Sequence, residues 1–232
     1  EELAESQLPG LSSLAEESHK AGEVKRDVPI LVILGNPPYS VSSSNRSEFI
    51  EREMEAYKEA VRNERNLMPL SDDYVKFIRF AEWKIQQAGR GVVGMITNHS
   101  YLDNLTFRGM RQHLMDTFDE IYVLNLHGNS LKRERCPDGS PDENVFDIQQ
   151  GVAIAFFIKR AKGNGEQACA HHADLWGLRE EKYAWLSEHD WRHTPWEELH
   201  PGPEFYLFVP TDERALEQYS TFPKVTEIFP LY

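Results

Sequence analysis

The sequence predicts an α/β fold, the later half of a doubly wound open sheet. Apolar runs of strand length recur at residues 29–35, 91–97, 120–126 and 151–158. Amphipathic helical segments separate the first three, and a long polar loop precedes the fourth. Strand and helix in alternation make neighbouring strands parallel, whereas a strand reached by a loop can return against them. The expectation is one sheet with its first three strands parallel and the last antiparallel. Asn36, Thr97 and His127 then share the carboxyl end of that sheet, with the loop from Lys132 to Phe146 folded over it. The outer edge beside 29–35 is expected to lack a partner.

Residues 1–26 are polar with a weak helical stripe at Leu11, Leu14 and Ala15, and read as a surface helix and connector. Ile30 to Leu34 are five consecutive aliphatics, the pattern of a strand buried on both faces. Gly35 is placed to let the backbone leave that strand sharply. Charged helical material runs from Glu48 to Arg65. Ser71 or Asp72 then caps a helix on which Tyr74, Phe77, Ile78, Ala81 and Ile85 recur at helical spacing, closed by Gly89. After the strand at 91–97, a helix is expected from Asn104 to Asp116, with Arg108 and Arg111 facing out. The strand at 120–126 ends at His127-Gly128.

Beyond residue 165 the character changes. Cys169 to Leu175 is compatible with one short strand, and four tryptophans (176, 185, 191, 196) mingle with prolines at 195, 201, 203 and 210. The expected division is therefore 1–165 as one domain and 166–232 as a connector into another module. The tryptophans read as core of that module rather than as a stacking platform.

A chain of 232 residues, 40% apolar and 11% aromatic, can bury a sizeable core. No stretch reaches 18 apolar residues, so no membrane partner is expected. Cys136 and Cys169 are too few for a disulfide scaffold, which favours a reduced, cytoplasmic setting. A net charge of −13 weighs against nucleic-acid binding by the chain as a whole. The acid concentrates near both ends, however, and Lys132-Arg133-Glu134-Arg135 forms a local basic loop. Lys132, Arg133 and Arg135 are candidate phosphate contacts, against a plain solvated loop. His127, at a strand terminus, is a candidate for touching DNA or substrate, against a capped polar residue. Cys169, His171, His172 and Asp174 lack the paired spacing of a structural zinc site, and no metal is expected.

The chemistry concentrates at Asn36-Pro37-Pro38-Tyr39. Two prolines stiffen the loop and remove two donors, leaving Asn36 and Tyr39 on a fixed frame. An amide oxygen and a proline carbonyl can accept the two N–H bonds of a planar amine while an aromatic face stacks on it. The string is also the form of an Asn-Pro-x-Tyr adaptor ligand, but those lie in exposed disordered segments rather than behind five aliphatics.

This loop resembles motif IV of the adenine-N6 DNA methyltransferases. Gly91 to Asn98 with Tyr101-Leu102, and later Arg108 and Arg111 to Leu114, resemble the pattern after motif IV in adenine-N6 enzymes of the type I and type IIG kind. Arg26 to Ser40 and Asn144-Val-Phe-Asp-Ile-Gln-Gln-Gly-Val-Ala-Ile154 resemble the single-polypeptide type ISP restriction–modification enzymes. The resemblance covers roughly residues 25–215. It implies a Rossmann-like methyltransferase sheet, S-adenosylmethionine as cofactor and double-stranded DNA as substrate, with nuclease and helicase-like modules in the same polypeptide. The target-recognition module would begin after residue 165. Asn36 and Pro37 would accept the N6 protons, Asn36 would also border the cofactor, Pro38 would hold the turn, and Tyr39 and Phe146 would stack on the two faces of the flipped base. Ser42-Ser43-Ser44 would be a loop that orders on substrate.

The methionine part of the cofactor needs a glycine-rich turn after a first strand, and no such turn precedes residue 36. The chain is accordingly expected to be a piece of a larger protein, with the cofactor half upstream. Two other readings remain: a glutamine-N5 methyltransferase acting on release factors, which uses the same loop, and a non-catalytic recognition or scaffold segment.

Overall fold

The computed structural model describes residues 12–40, 43–162 and 168–212, and parts of 215–229. Leu11, Ser42 and Gly163 to Gly165, which the sequence reading singled out, lie outside the described residues.

Helix α1 (Ser12–Asp27) leads into strand β1 (Val32–Gly35). Then follow α2 (Glu48–Lys58), α3 (Asp73–Ala88), β2 (Gly91–Asn98), α4 (Arg108–Thr117), β3 (Glu120–His127) and β4 (Val152–Lys159). Strand β5 (Cys169–Asp174), helix α5 (Arg179–Glu188) and strand β6 (Glu197–Leu199) complete the framework. The strands form one six-stranded sheet in the order β1-β2-β4-β3-β5-β6. β1 pairs parallel with β2, and β4 runs antiparallel between β2 and β3, so β1, β2 and β3 share one direction as expected.

The sheet does not stop at residue 165. β5 pairs parallel with β3 from Glu120↔Cys169 to Asn125↔Asp174, and β6 pairs with β5. The turn-rich composition after residue 165 reads as a new module, yet Ala170, His172 and Leu199 are buried against the same sheet.

Alternation along the strands sorts two cores. Val93, Met95, Ile121, Val123, Ala153, Ala155 and Phe157 face α2, α3 and α4 in the larger cluster. Leu124, Leu126, Val152, Ile154 and Ile96 face the other way, against Trp185, Leu186 and Trp196. Trp185 and Trp196 are partly buried against this face of the sheet rather than in the core of a separate module, and Trp191 is 45% exposed.

Two readings of helical faces are corrected. Phe77 is 43% exposed and lies outside the apolar stripe of α3. Arg111 does not face out: it is wholly buried, and its guanidinium donates to the carbonyls of Tyr101 (2.7 Å), Asn104 (2.9 Å) and Phe205 (2.7 Å). A five-donor fork can satisfy three carbonyls at a chain crossing that no apolar side chain can, which is why a charged residue occupies a core position. Arg108 remains near the surface on Glu64, at 2.8 Å.

The three helices on the larger face are tied by another buried charge. Glu82 accepts from the Tyr57 hydroxyl (2.7 Å), the Thr117 hydroxyl (2.6 Å) and His113 Nδ1 (2.6 Å), and pairs with Arg79 (2.9 Å). Burial alone would raise the Glu82 pKa, but these donors and the neighbouring charge outweigh it and hold it below the usual value.

Strand β1 is the exception to this burial. Only the side toward β2 is paired, and Val32 and Leu34 are 60% and 74% exposed. The expected free edge is present among the described residues, but the expected burial of both faces is not. A run of aliphatics records what a strand is suited to contact, and here that contact is missing on the outer side. An apolar edge therefore lies beside the motif.

Candidate functional site at the carboxyl edge of the sheet

Chain direction places Asn36, Asn98 and His127 at the same end of the sheet, since β1, β2 and β3 all finish there. Gly35 pairs with Met95, and Asn98 and His127 both lie beside Val152. Thr97 and Asn125 likewise flank Ala153. This is the end at which open α/β sheets collect ligands.

The Asn36-Pro37-Pro38-Tyr39 loop leaves β1 with Asn36 and Pro38 exposed and Pro37 buried. Gly35 takes no left-handed turn, and a Cβ there would meet nothing within 4 Å, so neither backbone conformation nor the surrounding protein requires glycine at this position. The far side of the loop is anchored. Asp72, the residue preceding α3, accepts from the Ser40 N–H at 2.7 Å, and the Asp73 N–H donates to the Ser40 carbonyl at 3.2 Å. Burial raises the Asp72 pKa, with backbone donors opposing it. Tyr39 packs edge-on against Tyr74, ring centroids 5.9 Å apart, and its hydroxyl is buried without a hydrogen-bond partner among the described residues. Burial, with Asp72 nearby, raises the Tyr39 pKa and keeps the phenol neutral. Of the following serines, Ser43 is buried and accepts from Lys76 Nζ at 3.2 Å.

The loop between β3 and β4 folds over the same end, as expected. Gly128 turns it with φ 79°, and a Cβ there would lie 2.4 Å from the Asn144 Cα. Asn144 donates to the carbonyls of Gly128 (3.0 Å) and Gln150 (2.7 Å) and accepts from the Phe146 N–H (2.9 Å). Helix α5 holds the outer side. Lys182, fully buried, pairs with Asp142 at 2.7 Å and donates to the carbonyls of Leu126 and Glu143. Asp142 in turn accepts from the N–H groups of Gly128 and Gly177.

Phe146 is half-buried in the smaller cluster, whereas Tyr39 packs on the larger one. The two rings lie toward opposite faces of the sheet at one end of it, and do not form a common slot in this conformation. Lys132, Arg133 and Arg135 are exposed on the loop. Lys132 pairs loosely with Asp103 at 3.4 Å, and Arg135 donates to Gly139.

His127 is not on that surface. It is 6% exposed, in a left-handed conformation (φ 53°) beside the β-bulge that follows Asn125. Its Nε2 donates to Asp174 at 2.7 Å, its Nδ1 faces Glu134 at 3.7 Å, and its ring stacks on Trp176. Burial opposes a charge on His127, but the hydrogen bond to Asp174 and the nearby Glu134 carboxylate outweigh it and raise its pKa. An imidazole buried between two carboxylates cannot also reach a nucleic-acid surface, so the candidate DNA contact is corrected to an internal residue.

Around it lies a group that sequence reasoning did not assemble. His99 accepts from Asn129 at Nε2 (3.1 Å) and donates from Nδ1 to Asn125 (3.1 Å). Burial lowers the His99 pKa. The suspected set at 169–174 divides: His172 donates to Asp174 (2.9 Å) and bonds the Phe208 carbonyl, His171 stacks on Tyr122, and Cys169 is exposed. Asp174 is held well below the usual carboxylate range: burial opposes this, and the two histidines overcome it. A cavity of about 260 Å³ opens here, lined by His99, Asn125, His127, Glu134 and Asp174. The only sequence signal was that Asn98-His99, His127 and Asp174 each end a strand.

Comparison with known proteins follows the same lines. A family model described as Eco57I restriction-modification methylase matches residues 14–130, just over half the chain. The ATP-dependent Type ISP restriction-modification enzyme LlaBIII bound to DNA is similar at 29% identity and TM-score 0.70, over 88% of this chain and 14% of that one. A DrdV–DNA complex is similar at 25% identity and TM-score 0.71, over 87% of this chain and 20% of that one. A nuclease-deletion mutant of the Type ISP enzyme LlaGI, in complex with a DNA substrate mimic, gives 25% identity and TM-score 0.70 over 88% and 20%. The chain thus spans a fifth or less of each. No curated protein matches. Among the described residues, no helix is long and apolar enough to cross a membrane.

Proposed function

The chain belongs to the Eco57I restriction-modification methylase family, and from that premise we propose that it provides the amine-binding part of an adenine-N6 DNA methyltransferase within a restriction–modification enzyme. The observation that carries the reading is the stiff Asn36–Tyr39 loop at the carboxyl end of β1, pinned by Asp72 yet leaving Asn36 exposed. Open space beside Gly35 and an exposed Asn36 carboxamide fit an approaching amine and a neighbouring methyl donor.

S-adenosylmethionine, when bound, supplies an electrophilic methyl on a sulfonium sulfur, and Asn36 would border it. The Asn36 side-chain oxygen and the Pro37 carbonyl accept hydrogen bonds from the two N6 N–H groups, returning electron density to the amine nitrogen. Pro38 fixes the turn that aims them. Tyr39 takes one face of the extruded base and Phe146 the other, offsetting a few kcal/mol of unstacking. Because these rings pack toward opposite faces of the sheet, engaging one base requires the β3–β4 loop to shift on substrate. Lys132, Arg133 and Arg135 contact phosphates of double-stranded DNA, a partner suggested by the DNA complexes among the similar structures. Residues 166–232 lead toward a target-recognition module, and nuclease and helicase-like modules share the polypeptide, acting in the cytoplasm.

Asn36→Ala in the intact protein carrying this chain is expected to lower methyl transfer to cognate DNA by about 100-fold or more, since its hydrogen bonds strengthen as the amine becomes nucleophilic. Circular dichroism and cofactor affinity should stay near wild type. Transfer at the wild-type rate would remove the assignment.

A further inference from the structure

His99, His127 and Glu134 come from three separate places, yet each offers one ligand atom within 4.8 Å of the other two. His99 follows β2, His127 ends β3, and Glu134 lies on the loop between β3 and β4. The opposite atom of each is held by its own partner. His99 Nδ1 donates to Asn125 Oδ1 at 3.1 Å, and His127 Nε2 donates to Asp174 Oδ1 at 2.7 Å. Glu134 Oε2 accepts from the Asn129 N–H at 2.7 Å. Such supports fix the tautomer and aim of metal-binding imidazoles, and a carboxylate behind a histidine is their commonest form. What remains pointing inward is His99 Nε2, His127 Nδ1 and Glu134 Oε1. The amide nitrogens of Asn129 and Asn125 approach the two imidazole nitrogens at 3.1 and 3.3 Å, and a bound ion would replace those two contacts.

We propose that His99, His127 and Glu134 form a binding site for one divalent first-row transition ion, with zinc the best match to two imidazoles and one carboxylate. Three protein ligands leave a coordination position open, and all three residues line the cavity of about 260 Å³ at this end of the sheet. The ion binds Glu134 to the ends of two strands and so fixes the first part of the loop, around Lys132. Gly151 is part of the same design: a Cβ there would lie 2.2 Å from the His99 ring, so only glycine lets that ring reach the site. The cysteines contribute nothing, because neither Cys136 nor Cys169 belongs to the group.

The test is zinc uptake by the chelator-stripped chain, read by isothermal titration, elemental analysis and thermal unfolding. One equivalent of zinc and a raised unfolding temperature are expected. Binding should weaken more than about 100-fold in His99→Gln and Glu134→Gln, about 10- to 100-fold in Asp174→Asn, and not at all in Cys136→Ser with Cys169→Ser. A second measurement needs only the wild-type chain. X-ray absorption of the zinc-loaded protein should show nitrogen and oxygen neighbours with imidazole scattering. No stoichiometric uptake, a sulfur shell, or unchanged affinity in both ligand variants would overturn the proposal.

Discussion

The Asn36 loop and the His127 cluster occupy the same end of one sheet but are built in opposite ways. The first is local. Four consecutive residues, two of them proline, shape it at an exposed edge, with a single paired neighbour and an anchor at Asp72. The second is long-range. His99, Asn125, His127, Asn129, Glu134 and Asp174 come together only when β2, β4, β3 and β5 are in register. A local motif keeps its chemistry where packing is thin. A distributed one depends on every strand around it. Substitutions at the two should therefore separate, function from stability.

The largest stability loss is expected at the distributed end. Lys182→Met leaves Asp142 as a buried carboxylate without its cation, which costs about 3–5 kcal/mol. Chemical denaturation should show a lower midpoint, and proteolysis should cut first within the loop 128–146. A loss below about 1 kcal/mol would mean that α5 does not hold the loop.

Glycine substitutions sharpen the contrast. Gly128→Ala combines a left-handed φ with a clash against the Asn144 backbone, for about 2–4 kcal/mol. Gly35→Ala meets nothing within 4 Å and should change stability by less than about 0.5 kcal/mol. Equal melting shifts would erase the distinction between the two regions.

The remaining effects concern the two rings and are read in binding rather than in stability. Tyr39→Ala and Phe146→Ala should each weaken binding to duplex DNA by about 1–3 kcal/mol, and by less when the target adenine is mismatched, because extrusion is then cheaper. Equal losses on paired and mismatched duplexes would show that neither ring clamps a base.

The same contrast explains what was legible in the sequence. The four strands, their directions and the free edge beside β1 followed from apolar runs and the loops between them, which are local signals. Arg111 was misplaced because helical spacing marks a face but not the chain that crosses it: its partner Phe205 lies far along the sequence. At a strand terminus His127 fits either a DNA contact or a capped polar residue, and only its carboxylate partners, Glu134 and Asp174, which arrive through a loop and a neighbouring strand, show it to be internal. β5 and β6 fall in a stretch whose tryptophan and proline content suggests a separate module, because composition signals a change of texture, not a change of sheet. Asn36 needed no tertiary information, since its two prolines shape the loop in place.

The most direct test of the central claim is the identity of the methylated product. Duplex DNA is incubated with the intact protein carrying this chain and S-adenosylmethionine bearing a deuterated methyl group, then digested to nucleosides for mass spectrometry. The account predicts deuterated N6-methyladenine with the wild type and none above background with Asn36→Ala. Label found only on another base or on protein glutamine, or equally on adenine in the variant, would contradict it.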